Sequence, residues 1–355
     1  MKSKVTVLKT SPNTVIKDYS TLLDRSNYKK FISKDINTIL KLNLSWSKYF
    51  PACSTEPWQL EGVVNKMKKE GYKKIMPVEN RTVVTDVWKG AIGNKWLPIL
   101  KKYNLKYQPL TEVEWINYKP RHEMLAIDKI FKDGHQIPKI FLNTNVIHLN
   151  TLKCHGHTTV TGSMKNAFGG LITEKRHHCH KMIHEVLVDL LQIQKEIHKG
   201  IFAVADGTIC GDGNGPRTMI PKIKNYILAS DDQVAIDAIS AKMMGFDPLK
   251  IPFIKIAHDK GLGNGDINQI DIIGENINKI NFGFSTGKSP VIFFDQLFRK
   301  GSFNFLEPLL FHTGLFNLCI FGSEFYHDYL WYNTIGRHRI NKFKKTEWGK
   351  LFDKY

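Results

Sequence analysis

The sequence has no long apolar run at its start, no paired-cysteine motif and too few acidic residues to balance its bases, and each lack narrows the reading. MKSKVTVLKT carries no signal-peptide core, so the mature chain is expected to begin at Met1. The longest apolar stretch, near Leu309 to Phe321, is interrupted by His312 and Asn317. It falls short of the roughly 20 residues that a membrane helix requires, so no spanning segment is expected. Five scattered cysteines, Cys53, Cys154, Cys179, Cys210 and Cys319, form no CxxC pair and predict neither a disulfide framework nor an intrinsic iron–sulfur cluster. A reducing, cytoplasmic setting fits that usage.

What is present is ample apolar content and a large positive charge. At 355 residues and 42% hydrophobic, the chain can bury one large core or two smaller ones. Its 51 basic and 33 acidic residues leave a formal charge of +18, which attracts anions through the summed surface field. Phosphorylated or carboxylate ligands, nucleic acid and an acidic membrane face are the partners such a charge admits. The lysines are spread along the whole chain, as on a merely solvated surface, and no basic stripe with interleaved aromatics marks a nucleic-acid module.

Strand-like runs alternate with segments of helical period, predicting an α/β fold with a mostly parallel or mixed sheet and flanking helices. Val5 to Leu8, Ile36 to Leu44, Ile75 to Val78, Val146 to Leu152, Ile201 to Ala205 and Tyr226 to Ala229 read as strands. Pro57 opens a helix whose Leu60, Val63, Val64 and Met67 share a face, and Gly71 ends it. A second helix is expected from Lys181 to His198, and a third from an Asp231 or Asp232 cap to Met244, closed by Gly245. Residues 1–290 read as the α/β domain, divisible into subdomains 1–140 and 141–290. Residues 291–355 form an aromatic-rich extension, expected to pack on the domain or to form a homodimer interface rather than a substrate lid.

Polar chemistry gathers between Lys153 and His184. KCHGHTTVTGSMKNAFGG follows a buried strand, where open α/β sheets bind ligands. It offers His155 and His157 as acid–base groups, Lys165 as an anion clamp, and Thr158, Thr161 and Asn166 as polar ligands. A short helix beginning at Thr161 and Gly162 would aim backbone N–H groups at a phosphate or carboxylate; the competing reading is a capped turn with surface histidines. In RHHCHKMIH, at roughly 100° per residue, His177, His180 and His184 fall on one helical stripe suited to a divalent metal, an anion or a proton relay, with His178 pointing away. Asp206 is expected to end its strand and to begin a glycine-rich turn around Asp212, where either carboxylate could orient a histidine or bind a cation. In KLNLSWS, Lys41, Asn43 and Ser45 lie on one side of a strand end, so Lys41 is either exposed or an anion ligand. Glu79 and Asn80 follow a neighbouring strand in the same way.

In order along the chain, KLNLS, KCHGHTTVTGSMKNAFGG, RHHCH, ADGTICGDGNGP, ILASDDQVAIDAISAKMMG and GLGNGDINQIDIIG resemble the domain-of-unknown-function family numbered 362, over roughly Ile36 to Gly274. Many relatives carry cluster cysteines, which implies redox work in those proteins; this chain lacks them. The TGSMKNAFGG loop is more loosely similar to nickel-pincer lactate racemases, which implies Lys165 as a cofactor tether or anion clamp and His177 or His180 as ligand or acid–base group, although Phe168 stands where the racemase pattern has proline. The expected function is enzyme-like binding of a small anionic ligand or cofactor, with metal-dependent acid–base or redox chemistry of an oxidoreductase or isomerase. The alternatives are a phosphate- or nucleic-acid-binding protein, or an accessory subunit of a redox or cofactor pathway.

Overall fold

The computed structural model describes residues 2–355, so the start expected at Met1 lies outside the described residues. Eleven strands run through them: β1 Ser3–Lys9, β2 Thr38–Lys41, β3 Ile75–Glu79, β4 Gln108–Pro109, β5 Trp115–Tyr118, β6 His135–Pro138, β7 Asn145–His155, β8 Thr159–Thr161, β9 Gly200–Asn214, β10 Thr218–Ser230 and β11 Ile270–Gly274. Nine form one sheet in the order β11-β1-β10-β9-β7-β2-β3-β4, with β8 paired to β7, while β5 and β6 form a separate ribbon. Five pairings in the large sheet are parallel and three antiparallel. This is the α/β class with a mixed, mostly parallel sheet, and strands from both sides of residue 140 hydrogen-bond within it.

Neighbouring strand residues go to opposite cores, as the two-residue period of a pleated strand requires. Ile39, Val146, Ala203 and Ala205 join one core, beneath helices Ser163–Leu171, Ile183–Ile197, Gln233–Met244 and Pro252–Asp259. Leu40, Leu42, Ile147, Leu149, Phe202 and Val204 join the other, beneath Val15–Arg25, Pro57–Lys69 and Trp96–Lys102. Burial on both faces is why the central strands read as continuous apolar runs. Local signals hold where expected: Pro57 starts its helix, the Asp232 carboxylate accepts from the N–H of Val234 and Ala235, and Gly71 and Gly245 adopt φ of +86° and +107°.

Three expectations are corrected. Asp206 does not end its strand: β9 continues through it to Asn214 and pairs with β10 in a long antiparallel ribbon, Asp206 opposite Ile227 and Asp212 opposite Ile220. The glycines that suggested a turn admit close neighbours, since a Cβ on Gly211 would overlap the Met219 side chain. The helix expected from Lys181 is also different. Glu174–Met182 is a 3₁₀ segment and the α-helix begins at Ile183. At three residues per turn, i and i+3 eclipse, so His177 and His180 align while His184 belongs to the next element. The helix expected at Thr161 starts instead at Ser163.

The extension packs on the domain. Trp348 meets Trp58 with ring centroids 4.8 Å apart, and Phe352 stacks on Tyr49 at 3.7 Å. All five cysteines are free, and no single helix among the described residues is long and apolar enough to cross a membrane.

Candidate metal and anion site

Strands β2, β3 and β7 run parallel side by side, so their C-terminal ends open at the same edge of the sheet. A half-enclosed cleft of about 270 Å³ lies there. Its walls include nine of the residues singled out from sequence: Lys41, Asn43, His155, His157, Thr161, Lys165, Asn166, His177 and His180. Thr158, His184, Asp206 and Asp212 do not line it. A larger, open groove of about 1050 Å³ beside Phe131 and His178 takes in Asn80 but none of these nine or four residues, so the smaller cleft is where the candidate chemical groups meet.

Several lining residues hold the wall together rather than face a ligand. Lys41 is buried and donates to Glu79 Oε1 at 2.7 Å and to the Leu42 carbonyl at 2.6 Å. Both readings of Lys41, exposed or anion-binding, are therefore replaced by a third, a paired internal cation. Burial lowers its amine from the usual lysine range, and the Glu79 carboxylate opposes that shift. A small residue at Gly169 leaves room for the pair, because a Cβ there would lie 3.1 Å from Lys41 Nζ. Asn166 donates to the Lys41 carbonyl at 2.9 Å. Asn43 accepts from Lys153, a fully buried lysine that also donates to the Cys53 carbonyl at 2.7 Å and to Thr151 Oγ1 at 2.8 Å, and burial pushes its amine down to about 8.

The N-terminus of helix Ser163–Leu171 is not open to an anion from outside. Asp237 accepts from the N–H groups of Ser163 and Met164 at 2.6 and 3.0 Å, so the chain supplies its own carboxylate where a phosphate was expected. Gly162 makes this possible, since a Cβ on it would overlap that carboxylate. Burial pushes the Asp237 carboxyl up to about 7 against those two N–H bonds.

Asp206, expected to orient a histidine or bind a cation, lies away from the cleft. Asp206 is fully buried and accepts from Tyr19 Oη at 2.6 Å, Trp58 Nε1 at 3.0 Å and Thr208 Oγ1 at 2.5 Å. Burial raises its carboxyl above the usual range. It ties helices Val15–Arg25 and Pro57–Lys69 to the sheet and is a structural node. Asp212 accepts from the Ser285 N–H at 3.0 Å. The Thr158 hydroxyl donates to the Val160 carbonyl, and the His184 ring lies 6.1 Å from that of Phe253.

What the cleft leaves for chemistry is compact. His157 and His180 stack with centroids 4.6 Å apart, and both face Asp295, with His157 Nε2 3.7 Å and His180 Nδ1 3.6 Å from its Oδ2. One donor atom from each of the three lies within 4.8 Å of the others. At 3.6 Å from each other, His180 Nδ1 and Asp295 Oδ2 lie just outside hydrogen-bond distance, and neither has a hydrogen-bond partner among the described residues although both atoms are buried. Such orphaned polar atoms call for a cation or water between them. Burial would raise the Asp295 carboxyl, but His180, Arg299 and His157 outweigh it and hold the group below the usual range. The Arg299 guanidinium donates to Asp295 Oδ1 at 2.9 Å and lies over the Phe311 ring. His157 is pushed down to about 3 by burial and by His180, and His155 is lowered by burial and by Lys165. The metal stripe expected as His177, His180 and His184 is thus a different trio in which only His180 survives; His177 stacks on Phe316 at 4.0 Å.

Beside this trio, Lys165 lines the cleft with no carboxylate partner among the described residues, its ammonium 5.4 Å from the Phe168 ring centroid. Burial, with Lys153 and Arg176 nearby, pushes its amine down to about 7. The Thr161 hydroxyl on the same wall is buried and has no hydrogen-bond partner among the described residues. Lys41, Lys165, Arg176 and Arg217 against Glu79 and Asp295 leave the lining at 4 − 2 = +2. Asp295, Arg217 and Lys153 escaped the sequence reading. The only local trace of Asp295 is its place as the lone acid of the aromatic FFDQLFR segment, four residues before Arg299.

No curated protein and no solved structure matches the chain, and the loose likeness to lactate racemases is not shown. The family described as Domain of unknown function (DUF362) matches residues 38–242, the stretch that supplies every strand bordering the cleft and every site residue except those of the C-terminal extension. The chain belongs to that family.

Proposed function

We propose that this protein is an enzyme for a small anionic molecule, aided by a divalent cation held between His157, His180 and Asp295. The observation that carries the reading is that trio of donors within 4.8 Å, two of its atoms buried and without a hydrogen-bond partner among the described residues, beside a lysine with no carboxylate partner among them. Two imidazoles and a carboxylate form a donor set suited to zinc and its borderline neighbours, and three protein ligands leave a position for water or substrate. A cation there would polarise a bound oxygen. Lys165, near neutrality through burial, pairs with the substrate's anion as an ammonium or takes up a proton as a free amine, and proton transfer of that kind typically contributes 10²- to 10⁴-fold. A cleft of about 270 Å³ suits a metabolite-sized anion.

The test is calorimetric titration of tag-free, chelator-treated protein with Zn²⁺, Mn²⁺ and Ni²⁺, in parallel with His157→Ala and His180→Ala. One equivalent of at least one cation should bind the native chain, and each variant should weaken it at least tenfold while unfolding at a similar temperature. Equal binding by native and variant chains, or none by either, would remove the cation from the reading.

A further inference from the structure

Apolar surface is distributed unevenly over this molecule. Of eighteen exposed large hydrophobic side chains among the described residues, twelve lie between Phe293 and Ile335. Exposed apolar area concentrated in this way marks an interaction surface rather than ordinary scatter. Helix Phe316–Glu324 runs on through Phe325–Gly336, and Leu318, Phe321, Phe325 and Tyr329, each more than half exposed, follow one another at spacings of three or four along its outer side. The rings of Phe321, Phe325 and Tyr329 form a ladder with successive centroids 6.4 Å apart. The opposite side, with His327, Trp331 and Gly336, is buried against the domain.

Charge divides along the same boundary. About one residue in seven of the chain is Lys or Arg, so a stretch of 36 residues would ordinarily hold about five, yet Gly301 to Gly336 contains none. Cations resume at once on both sides, with exposed Lys300 before it and exposed Arg337, Lys342, Lys344 and Lys345 after it. The acids inside the stretch are largely engaged: Glu307 pairs with Arg299 and His312, and Asp328 accepts from Trp46. Helices Asn304–Phe311 and Phe316–Lys344 have the length and composition of a membrane span only when taken together, and they meet at 88°.

An apolar, aromatic ridge without cations and bordered by lysines and arginines matches a bilayer surface, where acyl chains accept the rings and anionic headgroups meet the basic rim. A second copy of a chain of net charge +18 would bring like-charged rims together. We infer that residues 301–345 dock the protein onto one leaflet of an anionic phospholipid membrane, the bent helix pair lying in the interface without crossing it. The same segment is continuous with the helix that carries Asp295, so docking sets the cleft beside the membrane.

Cosedimentation of the full chain with vesicles tests this, using phosphatidylglycerol–phosphatidylcholine mixtures and phosphatidylcholine alone. The native chain should pellet with the anionic vesicles at least tenfold more strongly than with the neutral ones. Leu318→Ser/Phe321→Ser/Phe325→Ser should lose that binding while retaining its circular dichroism spectrum and melting temperature, because these side chains are exposed, and Lys342→Glu/Lys344→Glu/Lys345→Glu should lose it more steeply at low salt. Failure of the native chain to pellet overturns the inference. So does a triple serine variant that pellets unchanged, or a concentration-dependent dimer in sedimentation velocity that the serine variant abolishes while vesicles remain unbound.

Discussion

Replacing Lys165 by methionine should make the protein more stable and less able to bind an anion. In the fold, burial and the nearby Lys153 and Arg176 push the Lys165 amine down to about 7, whereas an unfolded lysine titrates at about 10.4. The native state therefore disfavours the ammonium form. Between about pH 7 and pH 10 the unfolded chain binds more protons, so this residue makes stability rise with pH, and below pH 7 its full penalty is present. A depression of that size corresponds to about 5 kcal/mol as an upper bound. Partial access of water to the side chain lowers the expected gain for Lys165→Met to about 2–3 kcal/mol at pH 6. Methionine keeps the unbranched stem and its contact with Phe168. Urea denaturation at pH 6 and pH 9.5 measures the difference, which should shrink to less than half at the higher pH. Calorimetry with small carboxylates and inorganic phosphate should show any binding weakened at least tenfold. A variant that is less stable than the native chain, by an amount independent of pH, would refute the reasoning and make Lys165 a structural residue.

Two further substitutions separate scaffold from site. Asp206→Ala should cost about 3 kcal/mol in urea denaturation, because the Tyr19, Trp58 and Thr208 donors lose a buried acceptor; cation binding measured by calorimetry should be unchanged. Gly162→Ala should cost about 2–4 kcal/mol, since the added methyl group would displace the Asp237 carboxylate from the start of helix Ser163–Leu171. Thermal melts of Gly162→Ala and of Asp237→Ala should then be similarly lowered, and the double variant should fall by less than the sum of the two, as expected for residues acting through one contact.

Where local patterning carries the information, the fold was legible. The strand at Val5 to Leu8 lies within Ser3–Lys9, and the helix read from Pro57 with Leu60, Val63, Val64 and Met67 is Pro57–Lys69. The polar stretch from Lys153 could also be recognised as chemical ground, because polar residues directly after an apolar run have few structural uses; His155 at the end of β7, His157, Thr161 in β8 and Lys165 in the following helix do line one cleft. Misreadings arose where a local pattern had two physical solutions. DGTICGDGNG reads as a turn by its glycines, yet the same glycines admit close cross-strand neighbours in β9 and β10. RHHCHKMIH reads as an α-helical stripe, but its first residues wind as 3₁₀, which rotates His184 out of register.

The amino-acid sequence by itself determined the α/β class, most element positions and the loop where reactive side chains gather, because strand period, capping and turn chemistry act over a few neighbouring residues. Tertiary structure alone decided which groups pair and which stay free. Glu79, 38 residues from Lys41, neutralises one lysine; Asp237, 74 residues from Ser163, occupies the helix end that an anion would have used; and Asp295, more than a hundred residues from both histidines, completes the donor trio. Pairing of buried charges depends on distance in space, which chain separation does not encode, so only the structure separates Lys41, paired with Glu79, from Lys165, which has no carboxylate partner among the described residues.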